Sequence, residues 1–283
     1  GFCFMTGRVL RKFIDMLNLS AEAFIAFLNG IPTELVLGVE LLAAFSAVLI
    51  MLRIFGQAGL YLYIGVAIIL ANIQVLKIAQ FGFYAEPVAL GTILFASSYL
   101  CTDILKEHFG TQAAKKGVWL GFAAAILTNV FMMLNLGFTP PTVEEAGPGS
   151  AWAVGNHDHI AALFLPAPAL LAAGMTAYLA SQFHDVWLYD LLGKITKRKH
   201  LWLRNNASTM ISALIDNTIF SVLAFIVFAA DPLPWDTVLW TYILGTYVLR
   251  LAVAALDTPF LYLAARCIRP QDTVVAPGAA SPA

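Results

Sequence analysis

The stretch LWLRNNASTMISALIDNTIF, residues 201–220, decides the fold. It begins in a basic loop and continues into a long apolar segment. Asn205, Thr209, Ser212 and Asp216 recur at steps of three and four, so they share one helical face. A carboxylate about ten residues into a hydrophobic helix lies near the bilayer midplane, where it needs a partner or a watery cavity. The stretch therefore predicts a membrane-spanning helix that forms one wall of a substrate site.

The composition supports a membrane protein. The chain has 283 residues, of which 60% are hydrophobic and 12% charged, and its mean hydropathy is +0.80. A soluble domain carries about a quarter charged residues, so this chain has too few charges to cover a water-facing surface. We predict an all-α polytopic membrane protein. The net charge of −1 gives no attraction to nucleic acid, and the three separated cysteines indicate neither a disulfide framework nor a zinc site.

Apolar segments divide the chain. Residues 9–30 mix charged and apolar side chains, which predicts an amphipathic interfacial helix. Polar links fall at 137–158 and 184–206, and residues 185–195 within the second predict a short surface helix. Seven segments are long enough to cross about 30 Å of hydrocarbon: 34–53, 58–80, 87–106, 114–136, 159–183, 207–230 and 236–266.

Basic residues orient the chain. They cluster between the third and fourth segments, within 184–206, and after the last segment. The excess of lysine and arginine in cytoplasmic loops places these regions and the C-terminus inside the cell. With seven crossings the N-terminus then lies outside, although Arg8, Arg11 and Lys12 argue against this. Either 34–53 does not cross fully or the later loops dominate; we favour the later loops, because they agree with one another.

Motifs of soluble enzymes are absent from the sequence. There is no GxxxxGK[ST] phosphate-binding loop, no HExxH and no GxSxG. His157-Asp158-His159 lies in a polar link, where a solvated loop is favoured over a metal site. We expect neither a metal nor a cofactor.

Polar residues within the apolar segments are the candidates for a binding site. Glu107 follows Asp103 by one helical turn, and Asp257 follows Arg250 on one stripe. Phe95 and Tyr99 offer aromatic faces for a ring, with core or lipid packing as the competing interpretation. The candidate substrate-binding residues are Asn72, Phe95, Tyr99, Asp103, Asn129, Asp216, Asn217, Arg250 and Asp257, and Glu107, Arg204 and Ser208 are candidates for structural or gating roles.

The estimated depths of two candidates in the membrane are similar. At 1.5 Å per residue, Asp216 lies about 14 Å and Arg250 about 10 Å from the inner boundary. They are on consecutive antiparallel segments, so an ion pair is possible, either within the site or only as a packing contact. For Asn72 and Asn129, hydrogen bonds between helices are an equal alternative. Asp103 differs from Asp216 by about 8 Å in depth, which disfavours an intramembrane enzyme that uses both acids.

Several motifs occur in the order and spacing of a known family. They are Ala71-Asn72-Ile73-x-x-x-Lys77, then Gly91-Thr92-Ile93-Leu94-Phe95 followed by Asp103-x-x-x-Glu107-x-x-Gly110, then Asp185-x-x-x-Tyr189, Leu203-Arg204-Asn205-Asn206-x-Ser208-Thr209, Ile215-Asp216, and Tyr247-Val248-Leu249-Arg250 with Asp257-Thr258-Pro259. Over roughly residues 58–266 the chain resembles the bacterial queuosine precursor transporters, within the vitamin uptake transporter group.

The resemblance implies an importer in the bacterial inner membrane. Its expected substrate is a 7-deazaguanine (preQ0, preQ1 or queuine) for queuosine salvage in tRNA. It also implies six core helices like those of the substrate-binding subunits of energy-coupling-factor transporters, without an ATPase partner, and a homodimer is compatible with that likeness. Residues 1–56 would then be an added amphipathic segment and span, 57–268 the transport core, and 269–283 a disordered tail.

Other functions remain open at this level. The chain could transport another nucleobase or vitamin-like solute, or be a scaffold whose polar residues only lock helices together. The intramembrane carboxylate enzyme is the least favoured alternative. In each case we expect the lipid bilayer as the surroundings and no nucleic-acid partner.

Overall fold

Helices dominate the described chain, as its apolar segments predict. The structure is a computed structural model that describes residues 20–83, 88–165, 168–229 and 231–268. The elements are α1 (20–29), α2 (Thr33–Gln74), β1 (Ile78–Ala79), β2 (Val88–Ala89), α3 (Thr92–Phe109), α4 (Thr111–Leu136), α5 (Val143–Val154), α6 (Asn156–Phe164), α7 (Pro168–Ile195), α8 (Leu201–Val222) with a π-helical end (Leu223–Val227), α9 (Trp235–Thr237), a π-helical stretch (Val238–Gly245) and α10 (Thr246–Cys267).

The first long helix, α2, turns back on itself at Gly56. Gly56 has φ 59° and ψ −138°, a conformation that glycine adopts without a Cβ penalty. Hydrogen bonds then join the two arms: Tyr63 Oη donates to the Ala44 carbonyl at 3.2 Å, and Gln74 Nε2 donates to Glu40 Oε1 at 3.0 Å. The predicted helices 34–53 and 58–80 are therefore confirmed as antiparallel neighbours, but the second ends at Gln74.

Some of the seven predicted crossings correspond to helices that are long and apolar enough to span a membrane. Within the described residues, four helices are long and apolar enough to cross a membrane: Thr33–Gln74, Thr111–Leu136, Leu201–Val227 and Trp235–Cys267. The first of these contains the two arms of α2. The other two long helices, α3 and α7, carry buried polar side chains and pack inside the bundle.

Two predicted boundaries were wrong because short elements interrupt the apolar runs. The predicted segment 87–106 contains β2, which pairs antiparallel with β1 through Ile78 opposite Ala89 and Ala79 opposite Val88, so the helix begins only at Thr92. The predicted segment 159–183 contains the end of α6 and the beginning of α7.

The link at 137–158 is more ordered than predicted, because it contains α5. Thr142 and Glu145 form a capping box in which Glu145 N donates to Thr142 Oγ1 at 3.3 Å and Thr142 N donates to Glu145 Oε2 at 2.8 Å. The Thr142 hydroxyl also donates to Glu145 Oε2, at 3.0 Å, and the two hydrogen bonds that this carboxylate accepts from Thr142 lower the pKa of Glu145.

The link at 184–206 also differs from the prediction. Residues 185–195 do not form a separate surface helix, because α7 runs without a break to Ile195. Asp185 is fully buried and Tyr189 is 2% exposed. With Ser181 they recur every four residues, so one face of α7 stays polar and points into the bundle.

The bundle buries a polar face together with an apolar core, and further large apolar side chains cover its outside. α7 packs on α8, α2 packs on α3 and α4, and α10 packs on α8, α2 and α3. The arm of α2 before Gly56 belongs to this packing, since Phe45 lies 5.0 Å from Phe260 of α10 between ring centroids. Phe131 and Trp240 are among the large apolar side chains exposed on the outside, as expected of a surface that meets lipid.

The ends of the chain are described only in part. Residues 20–29 are helical, and Phe24, Ile25 and Phe27 in this stretch are exposed, as expected of an interfacial helix. The rest of the predicted interfacial helix, residues 9–19, and the predicted tail 269–283 lie outside the described residues.

Gly121 permits the close approach of α4 to α7 and α2, which yields a test of the fold. A Cβ at this position would overlap Tyr178 Oη and lie 2.9 Å from Ile64 Cγ2. Tyr178 is held in place by its hydrogen bond to the Val118 carbonyl at 3.1 Å. We expect Gly121→Ala to destabilise the purified protein in detergent by about 1–3 kcal/mol, as in other overpacked interiors.

Gly38→Ala is the matched control. Gly38 is exposed on α2, and a Cβ there meets no atom within 4 Å. The midpoint of thermal unfolding should fall for Gly121→Ala and stay level or rise slightly for Gly38→Ala, because alanine has the higher helix propensity. Equal midpoints for the two variants would contradict this packing.

Candidate functional site

The polar stripe on α8 faces the interior of the bundle, as predicted. Asn205, Thr209, Ser212 and Asp216 are each at most 4% exposed. Their partners come from α3, α7 and α10. The predicted wall of a site is therefore a buried polar face at which four helices meet.

The centre of this face is an ion pair between Asp216 and Arg250. Arg250 Nη1 donates to Asp216 Oδ2 at 2.5 Å, and Ser181 Oγ donates to Asp216 Oδ1 at 3.0 Å. Tyr99 Oη donates to Ser181 Oγ at 2.9 Å. The guanidinium carbon of Arg250 also lies 5.1 Å from the centroid of the Phe95 ring. Side chains from α3, α7, α8 and α10 thus converge on one carboxylate.

A small cavity lies beside this ion pair. Its volume is about 10 Å³, room for about one water molecule. Ala96, Ala213 and Ala254 provide small side chains on its wall. The lining residues are Phe95, Ala96, Tyr99, Thr209, Ala213, Arg250, Ala254 and Asp257.

Asp257 is fixed on the cavity wall by α8. Its Oδ1 accepts a hydrogen bond from Asn205 Nδ2 at 2.7 Å. The next residue, Thr258, accepts one from Asn206 Nδ2 at 2.7 Å. Asp257 is 1% exposed, so its carboxyl group faces the cavity without bulk water around it.

Asp103 joins the site through Thr209, whose Oγ1 donates to Asp103 Oδ2 at 3.3 Å. Thr209 also lines the cavity. Asp103 faces Asp185 of α7 and Lys106 of its own helix. Over the described ranges, no group of three or more His, Cys, Asp or Glu side chains is arranged to hold a metal ion.

Glu107 and Arg204 form a second ion pair near the ends of α3 and α7. Arg204 Nη2 donates to Glu107 Oε1 at 3.0 Å, and Tyr189 Oη donates to Glu107 Oε2 at 3.1 Å. The Arg204 guanidinium carbon lies 5.2 Å from the centroid of the Tyr189 ring. Ser208, one turn along α8, is buried and donates to the Asn205 carbonyl at 3.3 Å. These contacts join α3, α7 and α8.

Three asparagines among the candidates lie away from the cavity. Asn72 and Asn129 each donate to the carbonyl one turn earlier in their own helix, Ile68 at 2.8 Å and Ala125 at 2.9 Å. Asn217 points to the neighbouring helix, where it donates to Thr246 Oγ1 at 2.8 Å and to the carbonyl of Ile243 at 3.2 Å. That carbonyl belongs to the π-helical stretch before α10.

The sequence reasoning missed the polar face of α7. Ser181 holds Asp216, and Gln182 binds α3 by donating to Ser98 Oγ at 3.0 Å. Ending the fifth segment at 183 hid the four-residue repeat that continues from Ser181 through Asp185. Extending the helical periodicity past the apolar run would have revealed this face.

Comparisons with known proteins agree with the motifs. The family described as "Putative vitamin uptake transporter" matches residues 89–264. A protein named "Probable queuosine precursor transporter" from Bacillus subtilis (strain 168) is 33% identical over 231 residues, which are 81% of this chain and 92% of that protein. No solved structure matches the chain.

The Asp216–Arg250 contact can be tested by a double-mutant cycle. Asp216→Ala and Arg250→Ala each leave a buried charge without its partner, so each should destabilise the protein by about 3–5 kcal/mol. The double variant should lose about 0.5–3 kcal/mol less than the sum of the single losses. Thermal unfolding in detergent measures all three.

Asp236→Ala is the control, because Asp236 is exposed and its removal should leave unfolding unchanged. Additive losses from the two single variants would show that the contact adds no stability.

Proposed function

This chain belongs to the vitamin uptake transporter family, and we propose that it imports a queuosine precursor, a 7-deazaguanine such as preQ0, preQ1 or queuine. The chain is a transporter, not an enzyme. The observation that carries the proposal is the buried Asp216–Arg250 pair beside a cavity that also presents Phe95 and Asp257.

The chemistry of the ligand suits these side chains. A 7-deazaguanine presents ring N–H and amine donors beside a carbonyl acceptor. A carboxylate can accept two such donors, and a guanidinium can donate to the carbonyl. Asp216 or Asp103 is the proposed partner of the donor edge, and the aminomethyl group of preQ1 would meet Asp257.

Two contacts of Arg250 support a role in recognising the carbonyl. Its Nη1 binds Asp216, whereas its Nε has no hydrogen-bond partner among the described residues. Arg250 also lies over the Phe95 ring. A flat base entering between them would exchange this cation–π contact for stacking on Phe95, with Arg250 at its edge.

Entry of the base requires movement of the helices. The cavity holds about one water molecule, and Asp216 is occupied by Arg250 and Ser181. We therefore propose that binding separates α10 from α3 and α8, and that the ligand replaces part of the ion pair. The base would bind the open state more tightly than the closed state, and this difference in affinity would drive the opening. A base with matching donors and acceptors would gain the most from it.

The family also suggests how the helices work together. We propose that the second arm of α2 with α3, α4, α7, α8 and α10 forms a six-helix core like the substrate-binding subunits of energy-coupling-factor transporters. It would act in the bacterial inner membrane as a homodimer, without an ATPase module and with its C-terminus in the cytoplasm. Asn72, Asn129 and Asn217 remain predicted contacts for another state of the transport cycle.

Ligand binding can be measured through stability. A ligand at about 100 times its dissociation constant stabilises the folded protein by about 2.7 kcal/mol. We expect preQ0, preQ1 or queuine to raise the thermal midpoint of the purified protein, and guanine to raise it less at equal concentration. A rise with an unrelated vitamin and none with any 7-deazaguanine would instead identify another solute of the same transport class.

The stacking role of Phe95 can be tested separately. Stacking of a base on an aromatic ring contributes roughly 1–3 kcal/mol, so Phe95→Leu should weaken preQ1 binding roughly tenfold. Phe131→Leu is the matched control, because Phe131 is 65% exposed on α4. Uptake of labelled preQ1 by cells that cannot synthesise it, at equal membrane abundance, is the second measurement. Equal affinity in both variants would remove Phe95 from the site.

A further inference from the structure

A group of buried charged side chains beside the cavity takes no part in the two ion pairs described above, and its acids outnumber its bases. Asp103 and Asp185 are fully buried, Asp257 is 1% exposed and Lys106 is 4% exposed. Three carboxyl groups of the described bundle thus face one ammonium group. Because an uncompensated buried charge costs several kcal/mol, some of these acids must hold a cation or a proton.

Missing hydrogen bonds in this group also indicate a bound proton or cation. Asp103 Oδ1, both carboxyl oxygens of Asp185, and Lys106 Nζ have no hydrogen-bond partner among the described residues. Buried polar atoms are nearly always paired in native proteins. The Lys106 ammonium instead lies 4.8 Å from the centroid of the Tyr189 ring. These orphaned atoms face one another between α3 and α7.

A proton suits this arrangement better than a metal ion. Asp103 and Asp185 face each other, with hydroxyl groups of Ser208 and Thr209 beside them. Two facing carboxyl groups away from water cannot both remain ionised, so they share a proton. A metal ion would need more oxygen ligands than this group supplies, and the ammonium of Lys106 would repel it.

We propose that Asp103 and Asp185 form a proton-binding site that couples import of the substrate to proton entry. This proposal rests on the proposed transport function. The proton is taken up from the outer side together with the substrate, and both are released inside. The proton passes from a hydronium ion outside to a carboxylate oxygen and then to water inside, so only O–H bonds form and break.

The proton-binding site is connected to the substrate cavity. Thr209 donates to Asp103 and lines the cavity, and Asp257 lies between the cavity and the carboxyl pair. Opening the cavity to admit a base would therefore disturb both contacts. Because Thr209 donates to a carboxyl oxygen of Asp103, a proton on the carboxyl pair would weaken this contact and would in turn favour the open state that admits the base.

Charged and titratable groups face the pair from three helices. They are Lys106, Cys101 and Tyr99 of α3, Tyr189 of α7 and Asp257 of α10. Farther out, Asp190 of α7 and Lys115 of α4 interact with Lys106, and Arg204 of α8 interacts with Tyr189. Arg204 is already paired with Glu107, and Asp190 is paired with Lys194. Lys106 and Asp257 are therefore the groups that most directly respond to a proton on the carboxyl pair.

Infrared spectroscopy of the purified protein tests the proton itself. A protonated carboxyl group has a C=O stretching band that a carboxylate lacks. We expect such a band at neutral pH in the wild type and its loss or reduction in Asp185→Asn. Asp236→Asn, at an exposed position outside the buried polar face, should keep the band. Identical bands in both variants, or no band in the wild type, would overturn the proton assignment.

Transport into liposomes tests the coupling. With the membrane potential clamped and the interior one pH unit more alkaline, one proton per neutral preQ0 allows about tenfold accumulation. The wild type and Asp236→Asn should reach this accumulation, whereas Asp185→Asn should only equilibrate preQ0. Accumulation in the wild type driven by a sodium gradient at equal pH would overturn proton coupling.

Exchange of labelled for unlabelled preQ0 at equal pH separates the two proposals. Wild-type exchange with no accumulation under a pH gradient would overturn proton coupling and leave the proposed transport function intact. Absence of exchange for every 7-deazaguanine would overturn the transport function, and with it the symport. The infrared band would then decide whether Asp103 and Asp185 hold a proton.

Discussion

A charged group inside an apolar bundle must be paired, and the Asp216–Arg250 contact is where this constraint acts most strongly. The two residues are 34 positions apart on α8 and α10. Ser181 brings α7 to the same carboxylate, and Tyr99 adds α3 through Ser181. Because breaking one partner leaves the other charge buried, these helices are constrained to meet in one register, and the cavity lies at their meeting point.

The rest of the interior extends this pattern toward the end of α3. Thr209 connects the cavity to Asp103, and the Glu107–Arg204 pair lies beyond it beside Tyr189. These residues form a continuous polar column. Apolar side chains surround this column and cover the outside of the bundle. In lipid, helices gain little free energy by moving apolar side chains from the lipid to each other. Close packing, as at Gly121, and interhelical hydrogen bonds therefore stabilise the association of these helices.

Sequence periodicity predicted the buried polar face where the helical repeat and the long apolar segment covered the same residues. The stripe from Asn205 to Asp216 was predicted correctly, since a 3.6-residue period places those side chains on one face whatever the helix packs against. Depth counting also anticipated the ion pair with Arg250. The polar face of α7 was missed because hydropathy ended the helix before Asp185, and hydropathy does not distinguish a polar surface from a polar interior. The short strands at 78–79 and 88–89 pair with each other, and neither segment alone reveals its partner.

The class of the molecule, its long helices and the family motifs could be read from the chain, because composition and period are local properties that do not depend on how the helices are arranged. Which polar residues share a space depends on the packing of the helices. Asn72 and Asn129 have the same chemistry as Asn205, yet they bond within their own helices, whereas Asn205 holds Asp257. The difference is the rotation of each helix about its axis, which is set by contacts between distant segments and cannot be read along the chain.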